Sequence, residues 1–381
     1  MVFDFDTPIE RRGTDSMKWG RYGADVLPLW VADMDFAAPP PVIAALQRRL
    51  DHGVFGYGIE TEALNAAVVN YVHRRYGWDI EAEWLVWLPG LVSALNVVCK
   101  AVEGGVFTAT PVYPPFMSAP KNEKRALTTT ALLDTEQGWR WDFEAADRAL
   151  SVSASKLWLL CHPHNPVGRA WRDEELNEIA RLAQKYDLIV CSDEIHCDLI
   201  LDTRYRHKPF AMLGTDAAER SVTLMAPSKT YNIPGLGAAW AVIPNAALRS
   251  RFREAMAGIV PHLNVIGMAA TIAALEDCDD WLAALLDYLR GNARLVEDAV
   301  AATSGLRMHP VEATYLAWID AGELCRQRGF ADPEAWCTAS GVALSSGRDF
   351  SAACGDFVRL NFGCRRATLR KALASLLGST S

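Results

Sequence analysis

Residues 156–168 read KLWLLCHPHNPVG, residues 188–198 LIVCSDEIHCD, and residues 222–237 VTLMAPSKTYNIPGLG. Each begins with a short continuous apolar run and breaks abruptly into polar, proline- and glycine-bearing residues. An apolar run too short for a buried helix reads as a strand covered on both faces. Between the first two lies DEELNEIARLAQKY, where Leu176, Ile179, Ala180 and Ala183 fall on one helical face. Strand, helix, strand in this order is the signature of an α/β layer with a mainly parallel sheet.

Working outward, the same alternation extends over about 200 residues. Strands are expected at 84–88, 106–109, 126–133, 156–161, 188–191, 222–225 and 237–243, giving a mainly parallel seven-stranded sheet flanked by helices. Helices are expected from the prolines at 39–41 to Gly53, over Glu62–Tyr76 with Gly77 as its stop, and from Gly90 to about Val102. The first forty residues, rich in Pro, Asp and Trp, read as an extended arm. The expected division is a large α/β domain over 45–275 and a smaller α+β domain formed by 276–381 with the arm, 1–44. No Pro/Gly/Ser linker separates them, so a long helix near 265–300 is expected to be shared.

Composition narrows the function. The chain has 381 residues, a formal net charge of −8 and an apolar half, which suits an enzyme and disfavours nucleic acid as a partner. The N-terminus lacks the basic and apolar regions of a secretory leader, and no apolar run reaches membrane-spanning length. Nine scattered cysteines indicate a reduced, cytoplasmic setting. Cys161, His162, His164, Cys191, His196 and Cys197 cluster near two strand ends. Their spacing is not that of paired ligands, and neighbours on a strand face opposite ways, so no metal site is expected.

In a parallel sheet, ligands sit beyond the carboxyl ends of the strands. Those ends deliver Asn165, Asp193, Lys229, a helix start at Gly90, Leu91 and Val92, and the ring of Tyr113. The set suits pyridoxal 5′-phosphate (PLP). Its aldehyde needs a lysine, its pyridine nitrogen a carboxylate, its phosphate free backbone N–H groups, and its ring face an aromatic cover. Each residue also has an ordinary structural use: Asp193 as a helix cap, Asn165-Pro166 as a turn, Tyr113 as packing, Arg359 as an ion pair.

Seven stretches carry a family resemblance in consistent order: LPLWVADMDF, HGVFGYG, TPVYPPF, HPHNPVGR, SDEIHCDLI, APSKTYNIPGL and FVRLNFG. Together they resemble the fold-type I PLP enzymes of aminotransferase class I/II, and within them the cystathionine β-lyase (C–S lyase) branch, the MalY/PatB type. The resemblance implies that Lys229 forms the Schiff base and removes the substrate Cα proton. It implies that Asp193 pairs with the pyridinium, that Asn165 faces the phenolic oxygen, and that Tyr113 stacks on the ring. His196 holds a position where many relatives carry a tyrosine. Gly90, Leu91 and Val92 match the phosphate cradle, and Arg359 the clamp on the substrate carboxylate. Tyr57 matches a tyrosine that reaches a neighbouring subunit's phosphate, implying a homodimer with shared active sites. The substrate side chain is expected near Trp30, Ala32, Asp33 and Tyr315.

Two positions depart from the pattern. Ala226 stands where many relatives have a phosphate-binding serine, with Ser228 as a substitute, and Gly237 where many have a basic residue. The implied reaction is β-elimination from L-cystathionine or another S-substituted L-cysteine, giving a thiol, pyruvate and ammonia. An aminotransferase would use the same lysine, aspartate and arginine, and residue chemistry alone does not separate the two. A regulator-binding role beside catalysis, known in this branch, has no feature of its own here.

Overall fold

The structure, a computed structural model, describes residues 3–378. Met1 and Val2, which open the stretch read as lacking a leader, and residues 379–381, which end the second expected domain, lie outside the described residues.

The seven expected strands form one sheet: β1 (Leu85–Leu88), β2 (Gly105–Thr110), β3 (Leu127–Ala131), β4 (Ser155–Cys161), β5 (Ile189–Asp193), β6 (Ser221–Met225) and β7 (Ala239–Val242). Their spatial order is β1-β7-β6-β5-β4-β2-β3. β7 runs antiparallel to both neighbours, and the other adjacent pairs are parallel. Along β4 every residue but Lys156 is buried, as expected for a strand covered on both faces.

The helices start and stop on local signals. α1 (Pro40–His52) has proline in its first turn and ends on left-handed Gly53. α2 (Glu62–Tyr76) is capped by Thr61, whose side chain accepts from Leu64 N, and ends on Gly77 with φ +67°. α3 (Leu91–Ala101) follows β1 directly. In α4 (Asp173–Lys185) Leu176, Ile179 and Ala183 are buried, and three acids occupy the first turn, where the helix dipole favours them.

Two expectations change. The run 126–133 is not one strand: β3 stops at Ala131, and Leu133–Thr135 turns into a hairpin with Gly138–Arg140. The long helix near 265–300 is two helices, α5 (Val265–Asp277) and α6 (Asp279–Ala301), broken at Cys278. Asp279 and Asp280 lie in the first turn of α6, where acids are stabilised, and Cys278 is buried at the break.

A second, antiparallel sheet holds β8 (Leu316–Asp320), β9 (Ser345–Ser346) and β10 (Phe357–Asn361) in the order β8-β10-β9. In register, Arg359 lies between Trp318 and Ser345. The arm reaches this sheet as an extended strap. The carbonyls of Leu29, Trp30, Val31, Ala32, Asp33 and Met34 all accept hydrogen bonds, chiefly from Arg359, Ser345, Asn361, Lys229, Tyr315, Lys18 and Asn232.

Candidate active site

The carboxyl ends of the central strands, the strap and β10 enclose a cavity of about 310 Å³. Its lining includes Ala32, Gly90, Leu91, Val92, Tyr113, Asn165, Asp193, His196, Ser228, Lys229 and Arg359, together with Ala226 and Gly237. Eleven residues singled out from the sequence therefore converge, from segments up to 327 positions apart (Ala32 to Arg359).

Lys229 sits in the turn Pro227–Thr230 that follows β6. Its Nζ donates to the Ala32 carbonyl. Burial lowers its pKa to about 8; Arg359 adds to the drop, while Asp33 and Asp193 oppose it. About a tenth of the amine is thus neutral at pH 7, far more than for an ordinary lysine, and neutral is the state that attacks a carbonyl carbon. Asp193 ends β5, almost wholly buried, with Oδ1 accepting from Ile195 N at 3.2 Å. Burial pushes its carboxyl up to about 7, and Glu194 pushes the same way. A cation placed beside it pulls such a group back to the anion.

Asn165 follows β4 through a loop with cis peptides before Pro163 and Pro166. Its Oδ1 accepts from Arg359 Nη1 at 2.9 Å, which leaves its amide nitrogen for an acceptor in the cavity. Arg359 also donates from Nη2 to the Trp30 carbonyl at 3.0 Å and to Ser345 Oγ at 3.3 Å, and its guanidinium carbon lies over the Phe350 ring, 4.7 Å from the centroid. Its Nε has no partner, and burial lowers its pKa to about 10. His196 is held neutral by burial, with its pKa down to about 3, and its Nδ1 is unpaired. Tyr113 is raised, first by burial and then by Asp193.

Gly90 caps the start of α3, and a Cβ built there would meet nothing within 4 Å. The first N–H groups of a helix have no partner inside it and attract anions. Ser228 adds a hydroxyl to the lining. The cationic residues of the lining are Lys229 and Arg359, so with Ala226 and Gly237 in place the anion end is built from backbone and hydroxyl donors. The donor set fits PLP: an amine, a buried carboxylate, an amide, a helix start, and orphaned polar atoms on His196 and Arg359.

Two expected residues lie elsewhere. The Trp30 side chain is outside this cavity; it packs edge-on with Tyr22 and under Arg21, and lines a separate surface cleft. Only its carbonyl serves the site, through Arg359, because the strap turns side chain and main chain to opposite sides. Tyr57 is fully exposed and outside this chain's own cavity. Conversely, Cys161, weighed from the sequence only as a metal-ligand type, lines the cavity, with Sγ accepting from Asn165 N at 3.3 Å. Among the described residues no group of three or more His, Cys, Asp or Glu is placed to hold a metal ion. No helix there is long and apolar enough to cross a membrane.

This geometry places the chain in a known class. It belongs to the family described as aminotransferase class I and II, which matches over residues 24–376. Among individual relatives, it is 36% identical to cystathionine beta-lyase PatB of Bacillus subtilis, over 99% of this chain and all of that protein. The solved structure of OvoB superposes with a TM-score of 0.94 at 46% identity, covering 100% of both chains. Cystalysin from Treponema denticola, whose structure contains a pyridoxal 5′-phosphate cofactor, superposes at 0.93 with 32% identity, over 99% of this chain and 98% of that one.

Proposed function

We propose that the chain is a PLP-dependent carbon–sulfur β-lyase that cleaves L-cystathionine or related S-substituted L-cysteines to a thiol, pyruvate and ammonia. The observation that carries this reading is the convergence of Lys229, Asp193, Asn165 and Arg359 on one cavity that ends at a helix N-terminus. The cystathionine beta-lyase names of two relatives matched over 96% or more of both chains support elimination over amino transfer.

When bound, PLP supplies an electron sink for the carbanion formed at the substrate Cα. Lys229 would hold the cofactor through its amine and would accept the substrate Cα proton at Nζ; its lowered pKa suits both tasks. Asp193 would keep the pyridine nitrogen protonated. Asn165 and His196 would serve the phenolic oxygen, and Gly90, Leu91, Val92 and Ser228 the phosphate. Arg359 presents a planar fork to the substrate carboxylate. Tyr113 covers the ring; burial keeps its phenol protonated, so it can protonate the departing sulfur.

The assembly proposed is a homodimer. Tyr57 is wholly exposed beside exposed Val54, Phe55 and Ile59, a stretch suited to cover by a second copy. Tyr57 would then add a phosphate ligand to the other copy's site. Residues 45–275 serve as the PLP-binding domain and 1–44 with 276–381 as the substrate-side domain. The nine cysteines, all free and buried, suit the reducing cytoplasm.

The test is incubation with L-cystathionine, or an S-aryl-cysteine, without any keto acid. Stoichiometric pyruvate, ammonia and thiol are expected. A requirement for added keto acid, with its amino acid appearing, would make the chain an aminotransferase instead.

A further inference from the structure

Behind the cavity, five residues beyond Asp193, the carboxylate of Asp198 is surrounded by donors. Its Oδ2 accepts from the Tyr71 hydroxyl and from Thr230 Oγ1 at 2.9 Å. Its Oδ1 accepts from the Tyr76 hydroxyl at 2.6 Å and from Arg75 Nε at 3.4 Å. Asp198 is 6% exposed, and Tyr71 and Thr230 are buried. None of these five residues lines the cavity. Burial raises both tyrosines well above their ordinary range, with Asp198 adding to the effect, so each hydroxyl remains a donor.

The donors come from two elements to which Asp198 does not belong. Tyr71, Arg75 and Tyr76 lie on α2, and Thr230 ends the four-residue turn that carries Lys229. The loop bearing Asp198 leaves the end of β5, where Asp193 stands. Tyr76 also packs edge-on against His207, ring centroids 5.5 Å apart, and His207 Nε2 lies 2.7 Å from an oxygen of Glu194, the residue after Asp193. One largely buried assembly thus reaches Thr230, next to the amine-bearing residue, and Glu194, next to the carboxylate. A buried carboxylate with four donors resists displacement, because losing any one leaves a desolvated charge less well paired.

We propose that Asp198 is a positioning residue for Lys229. Through Thr230 it fixes the turn 227–230 against the β5 end, and so sets the separation of Lys229 and Asp193 that a ring between them requires. The proposal rests on the reading of Lys229 as the PLP lysine.

The experiment compares Thr230→Val, Thr230→Ser, Asp198→Asn and Lys229→Ala. PLP affinity is measured by tryptophan fluorescence quenching of the cofactor-free proteins, and the pH midpoint of the bound cofactor's visible absorbance by titration. Thr230→Val is expected to weaken PLP about 10-fold, the size of one lost hydrogen bond to a charged group, and to move the pH midpoint. Thr230→Ser, which keeps the hydroxyl, restores both, and Asp198→Asn shifts both further in the same direction. Tyr71→Phe, which strips another donor from Oδ2, replaces Thr230→Val should that variant not fold. Wild-type affinity and midpoint in Thr230→Val, or a Thr230→Ser variant that behaves like Thr230→Val, would overturn the proposal. Lys229→Ala separates the two ideas. A covalently coloured Lys229→Ala protein sinks the reading of Lys229 itself, whereas a colourless one beside an unaffected Thr230→Val sinks only the positioning role.

Discussion

The cavity has two unlike walls. One is laid down by the loops after β1, β4, β5 and β6, where a buried run ends and the next few residues reach the ligand. The other is the strap at Val31 and Ala32 with Arg359 of β10, where contacts span hundreds of residues and are made largely to main-chain carbonyls. The first wall follows from strand period and sheet direction. The second has no local grammar: a carbonyl has the same chemistry in every residue, so the strap's letters do not say who holds it.

The contrast is open to attack at three points. The largest effect is expected at Arg359, which bridges the walls through Asn165 and Trp30. Arg359→Lys keeps a charge but loses the fork, and should raise KM roughly 10- to 100-fold, matching about 1.5–3 kcal/mol for charge-assisted bonds. Steady-state kinetics on an S-substituted cysteine decides it; an unchanged KM would detach the carboxylate clamp from this residue.

Next comes the first wall alone. Asp193 in the cofactor-free chain has its pKa raised to about 7 by burial. A carboxyl whose folded pKa exceeds its unfolded value favours folding at low pH. That contribution is fully present below about 4 and is lost as pH rises to about 7. Asp193→Asn removes the loss, so urea unfolding of the cofactor-free variant should show a gain of a few kcal/mol at pH 8 relative to pH 4. The buried histidines 162, 196 and 207, with pKa values lowered to about 3, tilt both proteins the opposite way below about 6.5, so the comparison is between variant and wild type at each pH.

The smallest effect belongs to the second wall. Asn232, at φ +54°, accepts from Met34 N at 2.9 Å and donates to the carbonyls of Met34 at 3.0 Å and Phe36 at 2.7 Å. Asn232→Ala should cost about 1–2 kcal/mol in urea unfolding and raise KM with little change in kcat. A variant with wild-type stability would mean that the strap is held by its remaining partners.

Legibility followed the same division. Lys229, Asp193, Asn165, Tyr113 and the helix start at Gly90 were readable because each follows a buried strand. Arg359 and Ala32 are reached only through family resemblance, and Trp30, expected near the substrate side chain, touches the site through its carbonyl. Asp198 stands in SDEIHCD beside the residues that were read. Its importance depends on Tyr71, Arg75 and Tyr76 folding back from α2, and pattern within one segment cannot show that. The break at Cys278 had a visible signal in the acids at 277, 279 and 280, which favour a new helix start over continuation.

An arm gripped by its main chain has an evolutionary corollary. Val31 and Ala32 contribute to the cavity lining, yet the strap's position is set largely by its carbonyls and by residues 232, 315, 359 and 361. Side chains on that surface are therefore free to drift in size and polarity while the backbone keeps its course. Substrate preference in such a scaffold can be retuned by single exchanges on the strap, at sites where the fold itself imposes little selection.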